Sequence, residues 1–424
     1  NSYLYVTWSP GTLQLPRAFP GLASSIVGLS CFNWNPILIA ITYYAPLNTL
    51  LSAVIFYLLF WYILPQIAYY SGYYTGILSI MDGSTREYYI GRYDPFKNYV
   101  LLTFGVMFGL AVFSTIFNWK RLATTIKLAI NRGSEKEIEL EKREPIPYKY
   151  TYAMLIGSSL LLIAMFMASE ISIVPSVTLL VLLFLNTISL TRMRGLVGIQ
   201  PSGVVHGRGL FRWIWPNMTA ETVTQEYILT NSFAAWEFSC TGNYPDQAFA
   251  IGDTFRIAAT TNVNIKNLFK VQMFAGIVAP IVVTVGTAYM AAVYGWRKMG
   301  TPGSDVFIPS TMYADAAINW PGPEPIWQHA ILGFLLCGGL LYLHSRYTWF
   351  FLDPVGLAVT SLGPRHFMGA IAVAWVLKFI TLKIGGTKLY SEKGVPIVTG
   401  FILGFALMSL PATILYLIFL VRPF

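Results

Sequence analysis

The chain has 424 residues, of which 55% are hydrophobic and only 11% are charged. A soluble domain carries roughly a quarter charged residues, so this composition excludes a water-soluble globular protein. The net charge of +9 is concentrated in loops and helix ends, which suits contact with anionic lipid headgroups. No nucleic-acid-binding module accompanies it, so nucleic acid is not expected as a partner. Long apolar stretches predict an all-α, polytopic transmembrane helical bundle of about eight spans, forming a single domain over residues 1–424.

The first spans are expected within residues 33–119. A segment from Ile37 to Tyr70 is too long for one straight crossing. It contains Pro46 and Pro65, and proline removes a helical hydrogen bond, so a broken helix or a hairpin is predicted here. After a loop rich in Gly, Tyr and charge, Val100–Trp119 is predicted to cross back.

The most polar stretch of the chain, residues 120–149, contains eight Lys and Arg residues. Under the positive-inside rule it is predicted to be cytoplasmic. Leu122, Ile126 and Ile130 recur at helical spacing below a basic face, which predicts an amphipathic helix lying on the inner leaflet. Gly133 is expected to end this helix, and a charged loop follows it.

Residues 150–192 are predicted to form a helical hairpin, and residues 193–269 a long loop with re-entrant or surface-lying pieces. The C-terminal helices are expected within residues 270–424. They are Val271–Tyr294, Trp327–Leu343, Phe367–Ile384 and Val395–Val421, with a turn at Gly385-Gly386 before the last one. Between the second and third lies a Gly- and Pro-punctuated stretch, Trp349–Pro364, that could dip into the membrane without spanning it.

Neither metal ligands nor catalytic motifs have diagnostic spacing in this sequence. The three cysteines and four histidines are scattered, so neither a metal site nor a cofactor is expected. Cys337 is interpreted as a small packing residue of an apolar helix. No nucleophile elbow, phosphate-binding loop or carboxylate pair is present, and we do not expect an enzyme.

Lys378 is the most informative single residue, because it lies inside the predicted span Phe367–Ile384. An intramembrane charge is costly and usually faces a cavity or a partner. Ala370 and Ala374 share its helical face, and Asp353 is the anion that we expect to find near it. The alternative is that Lys378 snorkels to the headgroup region, as Lys383 is expected to do.

Three further features lie at helix ends or helix faces. Arg346 and Asp353 lie in a run broken by Pro354, where helix ends could bind ions; the alternative is an interfacial aromatic belt with Asp353 as a helix N-cap. Arg194 ends a span and either holds a carboxylate or contacts headgroups. A GxxxG motif, Gly400–Gly404, permits close helix packing.

Several segments occur in an order that resembles the oligopeptide transporter superfamily, and the match is closest to its uncharacterised prokaryotic branch. These segments are Glu144–Tyr148, Leu190–Gly195, Phe351–Gly356, Ala374–Lys378 and Lys383–Gly386, followed by a Gly-rich last helix. The resemblance covers most of the chain from about Asn33 onward and corresponds to the later part of such proteins. Because the chain also begins without methionine, additional N-terminal helices are expected in the gene product.

The resemblance implies a multi-pass permease of the cell membrane that takes up peptides or metal chelates with protons or other cations. Arg194, Arg346, Asp353 and Lys378 are the residues that we expect near a substrate or ion pathway. The alternative function is a non-transporting structural or anchoring subunit of a membrane assembly. The lipid bilayer is a partner in either case, and association into an oligomer or a larger membrane complex is left open.

Overall fold

The computed structural model describes residues 13–198, 211, 213–216, 222–238, 244–295 and 326–421. Two antiparallel strands of two residues each, β1 (Leu13–Gln14) and β2 (Cys31–Phe32), pair near the start of the chain. The helices are α1 (Leu15–Ala18), α2 (Pro20–Ala23), α3 (Pro36–Tyr43), α4 (Leu47–Leu58), α5 (Leu64–Tyr70), α6 (Gly83–Arg92), α7 (Met107–Phe117), α8 (Trp119–Ala129), α9 (Glu135–Glu141), α10 (Tyr148–Ala168), α11 (Ile173–Val197), α12 (Gln225–Phe238), α13 (Tyr244–Thr261), α14 (Ile265–Tyr294), α15 (Trp327–Arg346), α16 (Pro354–Val359), α17 (Gly369–Leu389) and α18 (Val395–Val421).

Short π-helical and 3₁₀ segments connect several of these helices. The π segments are Leu59–Ile63, Tyr99–Val106, Pro364–Met368 and Tyr390–Gly394, and the 3₁₀ turns include Ile77–Ser79 and Thr360–Leu362. The helical architecture confirms the predicted all-α bundle. Residues 296–325, which separate the predicted helices Val271–Tyr294 and Trp327–Leu343, lie outside the described residues.

Six helical stretches of the described residues are long and apolar enough to cross a membrane, which makes the chain a membrane protein. They are Leu47–Tyr70, Tyr99–Phe117, Tyr148–Ala168, Ile173–Val197, Ile265–Met290 and His366–Leu415. This number is smaller than the predicted number of about eight spans. One reason is that the last stretch is 50 residues long and contains a sharp break at Gly386, where φ is 61° and ψ is −158°.

Contacts between residues divide the chain into two compact units. The first comprises the described residues of 1–111, 188–206 and 320–413, and the second comprises those of 112–187, 207–319 and 414–424. The first unit holds most of the fully buried side chains and all of the buried charged groups of the described residues.

Within the first unit, α15 packs along the Tyr99–Val106 segment at unusually close range. A Cβ atom on Gly105 would overlap the Ala330 carbonyl, and one on Gly333 would overlap the Leu101 carbonyl. Glycine at these positions therefore lets two helix backbones meet. Cys337 is fully buried in the same interface, which confirms its interpretation as a small packing residue. By contrast, Gly400 and Gly404 have open space beside them, so the predicted GxxxG contact is not formed within the described residues.

Pro46 breaks the first predicted span, whereas Pro65 does not. Helices α4 and α5 are continuous through the π segment Leu59–Ile63, because the wider π turn accommodates the proline. The Phe60 carbonyl, left without a donor by Pro65, accepts a hydrogen bond of 2.6 Å from the Asn98 side chain. The expectation that Pro65 divides this span was wrong because the compensating donor lies far along the sequence.

The second unit contains helices α8 to α10 and α12 to α14. Helix α8 forms as predicted, and its Thr125 shares a hydrogen bond of 2.9 Å with the Tyr152 hydroxyl. It ends at Ala129 rather than at Gly133, because Asn131 adopts the left-handed conformation (φ 58°) that commonly ends a helix. Ile126 remains exposed. Helices α12 and α13 occupy much of the segment that was predicted to be a long loop.

Candidate functional site

The candidate site is the break between α3 and α4. Asn35 caps the start of α3 by accepting a hydrogen bond of 3.0 Å from the Ile37 amide, and α3 ends at Tyr43. Helix α4 begins only after Pro46, which has no amide hydrogen. The last carbonyls of a helix have no partner within it, so the carboxyl end of α3 presents oxygen atoms at this break.

Lys378 of α17 provides donors for the carbonyls of the two residues that directly follow α3. Its Nζ atom lies 2.7 Å from the Ala45 carbonyl, 3.4 Å from the Tyr44 carbonyl and 3.2 Å from the Tyr390 hydroxyl. An ammonium has three donors, and all three have acceptors here. Only 6% of Lys378 is exposed, and the negative end of the α3 dipole favours a cation at this position.

Two aromatic rings enclose the ammonium. Its Nζ atom lies 4.5 Å from the centre of the Tyr390 ring and 5.9 Å from that of Tyr43. The Tyr43 hydroxyl is fixed in turn by a hydrogen bond of 3.0 Å to Thr381. Aromatic faces attract cations, so the environment of Lys378 is favourable to positive charge although no carboxylate of the described residues pairs with it.

Tyr390 reaches Lys378 only because the chain folds back at Gly386. Twelve residues of straight helix would separate the two Cα atoms by about 18 Å, which exceeds the reach of the two side chains. The positive φ of 61° at Gly386 is a conformation that glycine adopts readily. It confirms the predicted turn at Gly385-Gly386 and shows that this turn completes the site.

Asp353 lies at the other side of the break, against the first turns of α4. Its carboxylate accepts hydrogen bonds from the Val355 amide at 2.8 Å and from the Thr49 hydroxyl. Its own amide donates to the Ser52 hydroxyl at 2.9 Å. Asp353 is therefore the N-cap of α16, as the alternative interpretation predicted. It also lies near the positive end of α4, where an anion is favoured.

Helix α16 is a short, fully buried helix inside the stretch that was predicted to dip into the membrane. Side chains of the α4 helix and its π segment bind both of its ends. At its far end, the Tyr57 hydroxyl donates to the Val359 carbonyl at 3.2 Å, and the Trp61 indole donates to the Thr360 carbonyl at 3.1 Å. A Cβ on Gly356 would lie only 2.6 Å from the Ser52 side chain.

The expected pairing of Lys378 with Asp353 was wrong. The ion pairs of the described residues do not include it, and each group instead binds neutral partners. The physical reason is the helix break: its two ends have opposite partial charges, so the ammonium binds the carboxyl end of α3 while the carboxylate binds at the start of α4. A sequence shows the charges but not which helix ends face them.

The two predicted arginines do not contact these charges. Arg346 is the last residue of α15 and is exposed, and Arg194 is half-buried in the last turn of α11. The structure therefore brings Lys378 and Asp353 to the same break but not Arg194 or Arg346. Sequence reasoning missed Thr49, Ser52, Tyr57 and Trp61, although their helical spacing places four hydrogen-bonding side chains along α4 and its continuation.

Among the described residues, no group of three His, Cys, Asp or Glu side chains is placed to hold a metal ion. The fold and the buried, charged helix break define a polytopic α-helical membrane protein with a polar site inside its helical core. The chain belongs to a family of unknown function, DUF6785, whose model matches residues 23–422. No curated protein sequence matches it.

Proposed function

We propose that the protein is a permease of the oligopeptide-transporter type in the cell membrane, which takes up peptides or metal chelates together with a proton or another cation. The observation that supports this most directly is the Lys378 ammonium, buried in an apolar helix and bound to the carboxyl end of the broken helix α3. Ionisable groups inside membranes are expensive and mark ion or substrate pathways by default.

The geometry of the break supports the same proposal. In secondary transporters, interrupted helices bind ions and charged substrates with the partial charges of their ends. Here the carboxyl end of α3 binds an ammonium and the first turns of α4 bind a carboxylate. Substrates with both an amine and a carboxylate, such as peptides, match this arrangement of charges.

A second function is favoured by a different observation. All three donors of the ammonium are bound and only 6% of Lys378 is exposed. The ammonium therefore also links α17 to the end of α3 and to Tyr390 through hydrogen bonds. On this basis the chain would be a structural or anchoring subunit of a membrane assembly that does not transport.

Reconstitution into proteoliposomes separates these functions. With an inward proton gradient, we expect the wild type to accumulate short peptides or metal chelates from a mixture read by mass spectrometry. Lys378→Met keeps the length of the side chain but removes its charge, so we expect uptake to fall at least tenfold while insertion survives. Lys383→Met is the matched control, since Lys383 lies exposed on the same helix. No accumulation by wild-type vesicles above protein-free vesicles would favour the structural subunit.

A further inference from the structure

The oxygen atoms around Lys378 are of the kind that coordinate monovalent cations. They are two backbone carbonyls and one hydroxyl, at 2.7 to 3.4 Å from Nζ, with an aromatic face at 4.5 Å. Rings of carbonyl oxygens replace the hydration shell of alkali cations in channels. In transporters, the carboxyl ends and unwound carbonyls of broken helices coordinate sodium ions or protons.

The charge of this set fits a single positive charge. None of its members is an anion, whereas sites for calcium or magnesium contain carboxylates. Asp353 is held by the Thr49 hydroxyl and the Val355 amide and does not bind Lys378. The partial charges of two carbonyls and a helix end compensate an ammonium, a sodium ion or a potassium ion, but not a divalent metal.

The groups that face the ammonium are phenols and backbone carbonyls, which carry no formal charge. They are the Tyr43 phenol from α3, the Tyr390 phenol from the π segment after α17, and the carbonyls before α4. When the Lys378 amine gives its proton to water, the carbonyls keep their partial negative charge and lose the cation that balanced it.

We propose that the Tyr44 and Ala45 carbonyls and the Tyr390 hydroxyl form a monovalent-cation site. In the wild type this site is filled by the ammonium of the protein's own Lys378. A free sodium, potassium or small alkylammonium ion enters when that charge is absent. The binding itself is independent of transport. One consequence rests on the proposed function: in a permease, loss of the Lys378 proton and entry of a sodium or potassium ion would exchange one cation for the other, and this exchange would couple ion movement to transport.

Lys378→Ala tests the site, because it removes the charge and leaves space beside the carbonyls. The thermal midpoint of the purified variant would be measured in detergent with sodium, potassium, methylammonium or choline chloride at matched ionic strength. We expect a saturable upward shift with at least one of the three small cations relative to choline, since a ligand that binds only the folded state stabilises it. The wild type and Lys383→Ala should show a much smaller difference, because their Lys378 ammonium competes with the added cation. Adding Tyr390→Phe to Lys378→Ala removes one ligand and should weaken the cation affinity several-fold.

A second measurement needs no variant and therefore survives a failure of Lys378→Ala to fold. Only the neutral amine reacts with an acylating reagent, so the acylation rates of Lys378 and Lys383 would be compared by mass spectrometry in sodium, potassium and choline. We expect sodium or potassium to raise the rate at Lys378 alone, because the ion stabilises the state in which the amine is neutral. Identical rates in all three salts, or a Lys378→Ala variant that responds equally to choline, would overturn the proposal. Neither measurement uses uptake, so a cation shift without transport would reject the permease and keep the site.

Discussion

Arg86 and Lys378 are both buried cations that bind backbone carbonyls, but they differ in how completely they are enclosed. Arg86 is fully buried, and its guanidinium donates to four carbonyls, those of Ala23, Ile26, Leu78 and Ile80. Lys378 binds two carbonyls and a tyrosine hydroxyl. The arginine joins two segments of the chain over several atoms, whereas the lysine places one charge at one helix end.

The difference separates a permanent structural charge from an exchangeable one. Burial lowers the pKa of Arg86, but a guanidinium starts so high that it stays charged at any physiological pH. A lysine ammonium is a compact charge that gives up its proton more readily when desolvated. The same carbonyl chemistry therefore anchors the chain at Arg86, while at Lys378 it leaves a group that can change its charge.

The largest effect is expected for Arg86→Lys. A lysine ammonium has three N–H donors and lacks the forked geometry of a guanidinium, so it cannot bind all four carbonyls. Each buried carbonyl left unpaired costs about 1–3 kcal/mol. We expect the loss of monodisperse protein in size-exclusion chromatography after membrane extraction. Arg17→Lys is the control, since Arg17 is exposed and forms a 3.6 Å ion pair with Asp82 at the surface. A normal yield of monodisperse Arg86→Lys protein would show that the fold does not require the arginine, and Arg86 could then no longer be contrasted with Lys378 as a structural charge.

Lys378→Arg sharpens the comparison from the other side. It keeps the positive charge but makes that charge permanent. We expect normal extraction and insertion together with at least a tenfold loss of proton-driven uptake in the proteoliposome assay. Retention of full uptake by this variant would show that loss of the proton from residue 378 is not required.

Asp353→Ala tests whether the two charges at the break act separately. Loss of the N-cap should destabilise the protein by about 1–2 kcal/mol. In a double-mutant cycle with Lys378→Met, we expect a coupling energy below about 0.5 kcal/mol, because each group binds different partners. A coupling well above this value, measured by thermal unfolding in detergent, would restore the ion pair that the structure does not contain.

The smallest effect is expected for Tyr390→Phe in the wild-type background. It removes one hydrogen bond to Lys378 and keeps the aromatic face, so the unfolding free energy should fall by about 0.5–1.5 kcal/mol. The exposed Tyr342 supplies the control, and Tyr342→Phe should change little. If Tyr390→Phe also abolished monodisperse protein, as expected for Arg86→Lys, the hydrogen bonds around Lys378 would be as important for the fold as those around Arg86.

The sequence predicted the elements that depend on local pattern. Apolar length identified the transmembrane helices, Pro46 identified the break after α3, and Gly385-Gly386 identified the fold-back before Tyr390. Lys378 stood out because a charge in an apolar stretch is visible without a structure. These features need only residue type and spacing.

The remaining features depend on partners that are distant in the chain. Arg86 lies in a stretch that was interpreted as a polar loop, and only the folded chain shows that it is fully buried. Pro65 does not end its helix because Asn98 replaces the lost donor. Asp353 was predicted to pair with Lys378 because the two side chains have opposite charges. In the structure its carboxylate instead binds Thr49 at the start of α4 and the Val355 amide of α16. Such corrections come from tertiary contacts that periodicity does not reveal.

The binding of α16 by residues of α4 and the following π segment has a consequence for how the protein is made. The hydrogen bonds that Thr49, Tyr57 and Trp61 donate and the one that Ser52 accepts join residues that lie 299 to 304 positions apart in the chain. At a synthesis rate of about 5–20 residues per second, α4 leaves the ribosome roughly 15–60 s before its partner exists. During that interval, its hydroxyl and indole groups must be satisfied by water, by the insertion machinery or by earlier helices. A nascent chain stalled before residue 353 should therefore expose this face of α4 to site-specific crosslinking, and one stalled beyond residue 400 should not.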